Sequence, residues 1–336
     1  MKLAASAASL AFSAAVRARN ALYDRARLKA ARLQGPVVSV GNISVGGAGK
    51  TPFVILLGEL LRKRSIAFDV LTRGYGRDRK ELVIVDPDGS PEQFGDEPLL
   101  IARKLSAPVI VADERHHAGL AAEQKFGPKL HLLDDGFQHR QLARDFDIVL
   151  ITPEDLRDRM LPLGRLREPL TSLGRADAIV LMSGASAESL PPKTVEGKNI
   201  WRARRGILPK NVPPRPVAFC GIARPQSFFL QLRKAGVEPA AEAAFRDHHR
   251  YTPADIRDLL ALKQQSEADG FVTTEKDAIN LGLLTRELQP LSVVPVRMQL
   301  ENADAALDAI LRALALRKPQ WAAVGDLSGA QVRERI

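Results

Sequence analysis

The chain has 336 residues, 45% of them hydrophobic and 26% charged, with no low-complexity tract; this excludes a disordered chain and allows one large α/β unit or two lobes. Lysine and arginine outnumber aspartate and glutamate by 49 to 39, which favours anionic partners: nucleotides, phosphorylated substrates, nucleic acid or anionic lipid. Cys220 is the only cysteine, so an intrachain disulfide is excluded.

The first element is LAASAASLAFSAAV, residues 3–16, uncharged and followed by Arg17, Arg19, Arg25, Arg27, Lys29 and Arg32. At ~1.5 Å per residue it reaches about 21 Å, short of the ~30 Å hydrocarbon layer, so a membrane span is not expected. An amphipathic helix within residues 1–33, lying on an anionic membrane surface, is expected instead. A core helix and a cleaved signal sequence are the alternatives.

From residue 36 short apolar runs alternate with helical stretches. PVVSVGN (36–42) reads as a buried strand, a glycine-rich loop follows, and TPFVILLGELLRKR (51–64) reads as a helix ending in cations. Further apolar runs lie at 68–77, 81–86, 107–113, 129–136, 146–152 and 176–182, with helices at about 97–106 and 114–126. This alternation predicts a P-loop NTPase-like α/β fold, its mostly parallel sheet covered by helices on both faces. GILPKNVPPRP (206–216) carries four prolines and reads as a lobe boundary. Strands at 217–223, 270–277 and 291–298, with helices at about 225–235, 253–268 and 302–316, predict a smaller second α/β lobe. The expected division is therefore a core over 34–208, a small lobe over 209–318 and a peripheral tail over 319–336.

SVGGAGKT, residues 44–51, differs from the phosphate-binding pattern G-x-x-x-x-G-K-[ST] in having Ser44 at the first glycine. Gly46, Gly47 and Gly49 permit positive φ and let successive N–H groups approach phosphate oxygens, with Val45 and Ala48 between them. Lys50 supplies a cation to the β and γ phosphates, Thr51 a hydroxyl to Mg²⁺, and the helix its positive end. The alternative is a glycine turn without ligand. Asp134 and Asp135 close the apolar run of KLHLLDDG, where carboxylates hold Mg²⁺; the alternative is two solvated acids in a turn. Val45 stands where partitioning ATPases carry an extra lysine. A GTPase would show D-x-x-G and [NT]-K-x-D, but DDGF lacks the glycine and TEKD (274–277) has its lysine one place late. Aromatic residues are only 5%, and no basic stripe interleaved with them is present, so no nucleic-acid partner is expected.

SVGNISVGGAGKTP (39–52), TRGYGR (72–77), GDEP (95–98), ADER (112–115), LDDGFQHR (133–140), LPLGRLREPL (161–170), RADAIVL (175–181) and DHHRYT (247–252) together resemble the tetraacyldisaccharide 4′-kinase family, the lipid A 4′-kinases. The resemblance runs from about residue 20 to about 315, and the family's loop also starts with serine. It implies transfer of the ATP γ-phosphate, with Mg²⁺, to the 4′-hydroxyl of a tetraacylated glucosamine disaccharide 1-phosphate. It further implies a peripheral protein on the cytosolic face of the inner membrane, here expected as a monomer. A P-loop regulatory or chaperone NTPase acting on a protein partner is the alternative.

On this resemblance Asp96 matches the family's proposed base and His248 a histidine working with it, beside Lys50. His249 replaces the family's usual tyrosine. From the residues alone Asp96 reads as a helix N-cap. Arg73, Arg115, His139 and Glu168 also fall on family positions, the arginines suited to phosphate and Glu168 to metal or nucleotide. Their plain alternatives are a surface charge, an ion-pair partner, a supporting hydrogen bond and a turn acid.

Overall fold

The protein is described by a computed structural model covering residues 2–324 except 76 and 78–80. Gly76 of TRGYGR and tail residues 325–336 lie outside the described residues. In chain order the helix α1 (Lys2–Asp24) precedes β1 (Val37–Asn42), α2 (Lys50–Lys63), β2 (Phe68–Thr72), β3 (Val83–Ile84), α3 (Pro91–Phe94), α4 (Asp96–Leu105), β4 (Val109–Val111), α5 (Arg115–Phe126), β5 (Leu130–Asp134) and β6 (Phe146–Ile151). Then come β7 (Ala178–Met182), α6 (Pro192–Val195), β8 (Asn199–Ile207), β9 (Pro216–Cys220), α7 (Pro225–Lys234), β10 (Ala241–Ala244), α8 (Pro253–Gln265), β11 (Gly270–Thr274) and α9 (Glu275–Leu281). The chain continues through β12 (Leu291–Val294), β13 (Val296–Leu300), α10 (Ala303–Arg317) and α11 (Pro319–Val324).

Nine strands form one sheet in the order β13-β8-β7-β6-β1-β5-β2-β4-β3, parallel except for β3 and β13 at its two edges. The apolar runs lack polar alternation because both faces are covered. Val38, Val40, Ile148 and Leu150 point to one side, where α2, α4 and α10 supply Phe53, Leu57, Leu99, Leu105, Ile310 and Leu314. Val149 and Ile151 point to the other side, against Leu166 and Leu173, and Val37 meets Ala118 and Ala122 of α5 there. Phe53 is 1% exposed, and burying such a ring contributes roughly 2–3 kcal/mol.

The second sheet, β10-β9-β11-β12, is parallel and has its own core around Phe219, Phe271, Leu232 and Leu259. The four-proline segment lies between β8 and β9. The far boundary differs from expectation. LSVVPVRM is two strands rather than one: Leu291–Val294 ends the small sheet and Val296–Leu300 runs antiparallel to β8 on the large one. Pro295 has no N–H to continue the first ladder, and its carbonyl accepts from Leu208 N at 3.2 Å, so the two crossings between lobes lie side by side. Residues 296–318, read as part of the small lobe, thus return to the large one, and α10 packs under its sheet. The segment starting at 319 is not peripheral where described, since Trp321 joins the same core and Lys318 Nζ donates to the carbonyls of Leu33, Gln34 and Gly35.

Helix α1 turns its small polar residues inward: Ser9, Ser13 and Asn20 are buried with Val16, while Leu10 is 73% exposed and Leu22 is exposed too. Ser9 donates to the Met160 carbonyl at 3.0 Å, and Arg140 pairs with Asp24 at 2.7 Å. Among the described residues no helix is long and apolar enough to cross a membrane.

Candidate active site

The strand β1 sits between β5 and β6 and delivers the glycine loop to the carboxyl edge of the sheet. Gly46, Gly47 and Gly49 have φ of 76°, 62° and 90°, the left-handed values only glycine adopts freely. Gly49 caps α2 and leaves its first N–H groups facing the cleft. Ser44 needs no such freedom. It is buried, its Oγ accepts from Asn42 Nδ2 at 3.1 Å, and residues 160–168 strap the loop entry through Val45 N to Arg165 O and Arg167 N to Ile43 O. Serine at the first loop position is therefore a fitted residue.

Lys50 and Thr51 open α2 on the floor of an interlobe cleft of about 710 Å³. Lys50 Nζ donates to Asn42 Oδ1 at 3.1 Å and lies 3.6 Å from Asp135. Arg167 also grips Asp135, at 2.9 and 3.1 Å, and Asn42 Oδ1 at 2.5 Å. Burial raises the Asp135 acid, but Lys50 and Arg167 outweigh it and pull it to about 2. Its carboxylate is thus committed to cationic side chains. Asp134, at the end of β5, is the opposite case. Burial first, then Glu97 and Asp135, push its acid up to about 7, and its Oδ1 is a buried acceptor with no partner; Thr72 reaches Oδ2 at 3.4 Å. An orphan carboxylate oxygen among other carboxylates fits a divalent cation. Among the described residues no group of three or more His, Cys, Asp or Glu side chains is arranged to hold a metal.

Across the cleft the two lobes meet at α4 and α9. Gly95, at φ 87°, is the N-cap of α4, and Asp96 is the first helical residue, correcting the N-cap reading of Asp96. Its carboxylate is 4% exposed and accepts from Glu97 N at 2.8 Å and Asn280 Nδ2 at 3.1 Å. His248 Nδ1 stands 3.0 and 2.9 Å from its two oxygens. His248 has φ 57° and is fixed by its N–H to Gly221 O at 3.2 Å. The small lobe thus brings an imidazole onto a carboxylate 152 residues earlier in the chain. Burial raises the Asp96 acid, but the His248 hydrogen bond and the Lys276 charge bring it below the usual carboxylate range. His249 is elsewhere, stacked on Phe245 at 4.7 Å and beside Tyr251, which explains how a histidine serves in this aromatic position.

The structure brings residues 45–51, Arg73, Arg115, Asp134, Asp135, His139 and His248 to the walls of this one cleft. Arg115 opens α5 and is buried, with no partner at Nε. Burial, then the charges of Arg115, Arg144 and Arg73, lower the His139 imidazole to about 4, leaving it neutral at physiological pH. Glu168 departs from the metal-ligand expectation. It is fully buried off the cleft, paired with Arg175 at 2.9 Å, and accepts from Asn20 Nδ2 at 2.6 Å and Gln138 Nε2 at 3.2 Å, so it anchors α1. Sequence reading missed Asn42, Arg167, Glu97, Lys276, Arg205 and Arg224. Lys276 lies in TEKD, where its place in sequence fits no nucleotide motif. Arg205 is one of three arginines in WRARRG (201–206) with nothing in sequence to separate it from Arg202 and Arg204, and Arg224 stands alone, although it abuts Gly47 closely enough that a Cβ there would lie 2.9 Å from its Nε.

A glycine loop between a buried parallel strand and a helix, its lysine and threonine at the helix start and a carboxylate on the neighbouring strand, defines a P-loop nucleotide-binding protein. The family model of tetraacyldisaccharide-1-P 4′-kinase matches residues 1–315. Tetraacyldisaccharide 4′-kinase of Koribacter versatilis is 53% identical over 320 residues, covering 92% of this chain and 98% of that one. The Aquifex aeolicus enzyme of the same name is 38% identical over 280 residues, 78% of this chain and 84% of the other. A crystal structure of the Aquifex aeolicus kinase in complex with ATP superposes with a TM-score of 0.75 at 34% identity, covering 92% of this chain and 98% of that one. The chain belongs to the tetraacyldisaccharide 4′-kinase family.

Proposed function

We propose that the protein transfers the γ-phosphate of ATP to the 4′-hydroxyl of a tetraacylated glucosamine disaccharide 1-phosphate. The observation that carries this reading is the Asp96–His248 pair, held at the lip of a phosphate-binding cleft by two different lobes. A sugar hydroxyl is a poor nucleophile until a positioned group takes its proton. His248 lines the cleft and Asp96 lies behind it, so the imidazole Nε2 receives the proton and the Asp96 carboxylate balances the resulting charge. The acceptor oxygen bonds to the γ phosphorus as the bond to the ADP oxygen breaks. Lys50 leaves Asn42 and Asp135 for the β and γ oxygens, and the loop N–H groups hold the β phosphate. Mg²⁺ would be held by the Thr51 hydroxyl and Asp134, and when bound it neutralises charge on the phosphates. Arg73 and Arg115 face the same phosphates with fork-shaped donors.

Incubation with radiolabelled ATP and the acylated disaccharide 1-phosphate in detergent should move label into lipid. Absence of transfer by folded protein, or hydrolysis stimulated instead by a protein partner, overturns this reading.

The acceptor is a lipid, and α1 suits a membrane surface. Its exposed side carries Leu10 and Leu22, and exposed Arg17, Arg19, Arg25 and Arg27 follow. Such a helix lies on the cytosolic face of an anionic bilayer, held by apolar insertion and charge. Removing residues 1–19, which spares Asn20 and its bond to Glu168, is expected to reduce co-sedimentation with anionic vesicles. Undiminished sedimentation rules out this role for α1.

A further inference from the structure

TEKD, residues 274–277, divides its labour by direction. Thr274 and Asp277 serve the small lobe: Thr274 Oγ1 donates to Asp277 Oδ2 at 2.5 Å, and Asp277 Oδ1 accepts from Gly221 N at 2.6 Å and Tyr251 O–H at 2.9 Å. Lys276 points the other way, into the cleft. Its Nζ stands 3.3 Å from His248 Nε2, 3.3 Å from Asp247 Oδ1, 3.5 Å from Glu97 Oε1 and 3.7 Å from Asp96 Oδ2.

These contacts determine the protons on the imidazole. Nδ1 faces both oxygens of a carboxylate, so it carries hydrogen. An ammonium has only donors, so the nitrogen opposite Lys276 must present a lone pair. An N–H on Nε2 would meet the Lys276 N–H at 3.3 Å, while Asp247 Oδ2, at 3.8 Å, stands beyond hydrogen-bond reach. The neutral Nδ1–H tautomer alone satisfies both neighbours.

The other groups around the ring pull the opposite way. Asp96 and Glu97 face it from α4 and Asp247 from its own loop, all favouring imidazolium, while the Tyr75 ring covers it at 5.0 Å without charge. Burial and Lys276 weaken the hold of His248 on a second proton, Asp96 strengthens it, and the balance lies above the ordinary histidine range. Lys276 is the cation in this set that opposes it.

We propose that Lys276 is a positioning residue that holds His248 as its neutral Nδ1–H tautomer, with the Nε2 lone pair directed to the acceptor hydroxyl. On the acceptor's arrival the hydroxyl takes the place of Lys276 at Nε2, and Lys276 stays on Asp96, Glu97 and Asp247. This inference rests on the reading of His248–Asp96 as the proton acceptor, and the test separates the two.

The test uses full-length protein with ¹⁵N-labelled histidine, the His248 resonances assigned by their loss in His248→Gln. Native protein above the His248 titration should show the Nδ1–H pattern, and an Nε2–H pattern overturns the proposal. Lys276→Met should raise the His248 titration midpoint by about one pH unit or more, because three carboxylates then act unopposed. The acid limb of kcat/KM should move up with it, giving about tenfold lower kcat/KM at fixed pH on that limb and recovery at higher pH, which a folding defect would not give. Lys276→Arg, which keeps the charge, should stay near the native midpoint. Lys276→Gln provides a neutral hydrogen-bonding variant if the methionine protein fails to fold. An unmoved midpoint in both neutral variants overturns the proposal. A midpoint that moves while the kcat/KM limb stays fixed supports the role of Lys276 and overturns His248 as the proton acceptor.

Discussion

Asp96→Asn is expected to lower kcat by about 10²–10⁴-fold while leaving ATP affinity little changed. The substitution keeps the volume of a 4%-exposed side chain and an oxygen for Glu97 N or His248 Nδ1, so the start of α4 is retained. It removes the negative charge that balances imidazolium, and it offers Nδ1 an amide that binds equally well in the wrong orientation. The carboxylate is already ionised across the neutral range, so the loss applies at every pH at which the native enzyme works. Single-turnover phosphoryl transfer alongside equilibrium ATP binding is the measurement. Because the two side chains act together, Asp96→Asn combined with His248→Ala should be hardly worse than either alone. A single variant within tenfold of native activity would show that this carboxylate is dispensable.

The placement of the pair makes the chemistry depend on how the lobes meet. Asp96 belongs to α4 of the large lobe, whereas His248, Lys276 and Asn280 belong to the small one. The lobes are joined by two crossings at Leu208 and Pro295, which touch by one hydrogen bond. Rotation of the small lobe away from the large one would part His248 from Asp96, so on the proposed reading the proton acceptor is complete only with the lobes together.

What was legible in the sequence was whatever depends on local pattern. The buried strands appear as apolar runs because both sheet faces are covered, and the phosphate loop appears because glycine, lysine and threonine must stand in order on one turn. The resemblance supplied Asp96 and His248, which spacing alone could not join across 152 residues. Pro295 was hidden inside one apolar run, since a proline between two valines does not announce that the strands on either side belong to different sheets. Helix α1 shows the limit of local pattern in another way. Its inward face is mostly serine and asparagine, beside Val16, because it lies on polar groups such as Glu168 and the Met160 carbonyl, and Leu10 and Leu22 are left outside. Glu168 is expected at metal or nucleotide because it falls on a family motif position, and only the fold shows that Arg175 and Asn20 already occupy its oxygens.

Lys50→Ala should fail differently from Asp96→Asn, with ATP affinity and kcat both reduced and kcat/KM for ATP down by about 10²–10³-fold or more, the cost of one preorganised donor to developing phosphate charge. The fold should survive the change. Lys50 shares both its partners with Arg167, which holds Asn42 Oδ1 at 2.5 Å and Asp135 at 2.9 Å, so neither acceptor is orphaned when the lysine is cut back. The thermal midpoint of the ligand-free protein is therefore expected to stay near native, while its rise on adding ATP should shrink in proportion to the lost affinity. Lys50→Arg should not restore activity, because the wider guanidinium must fit beside Arg167 under a loop whose crown abuts Arg224. If Lys50→Ala and Asp96→Asn lost ATP affinity equally, Asp96 would belong to the nucleotide site and the proton would have to leave by another route. If only Lys50→Ala loses it, the loop side of the cleft binds the nucleotide and the α4–α9 seam does the proton chemistry.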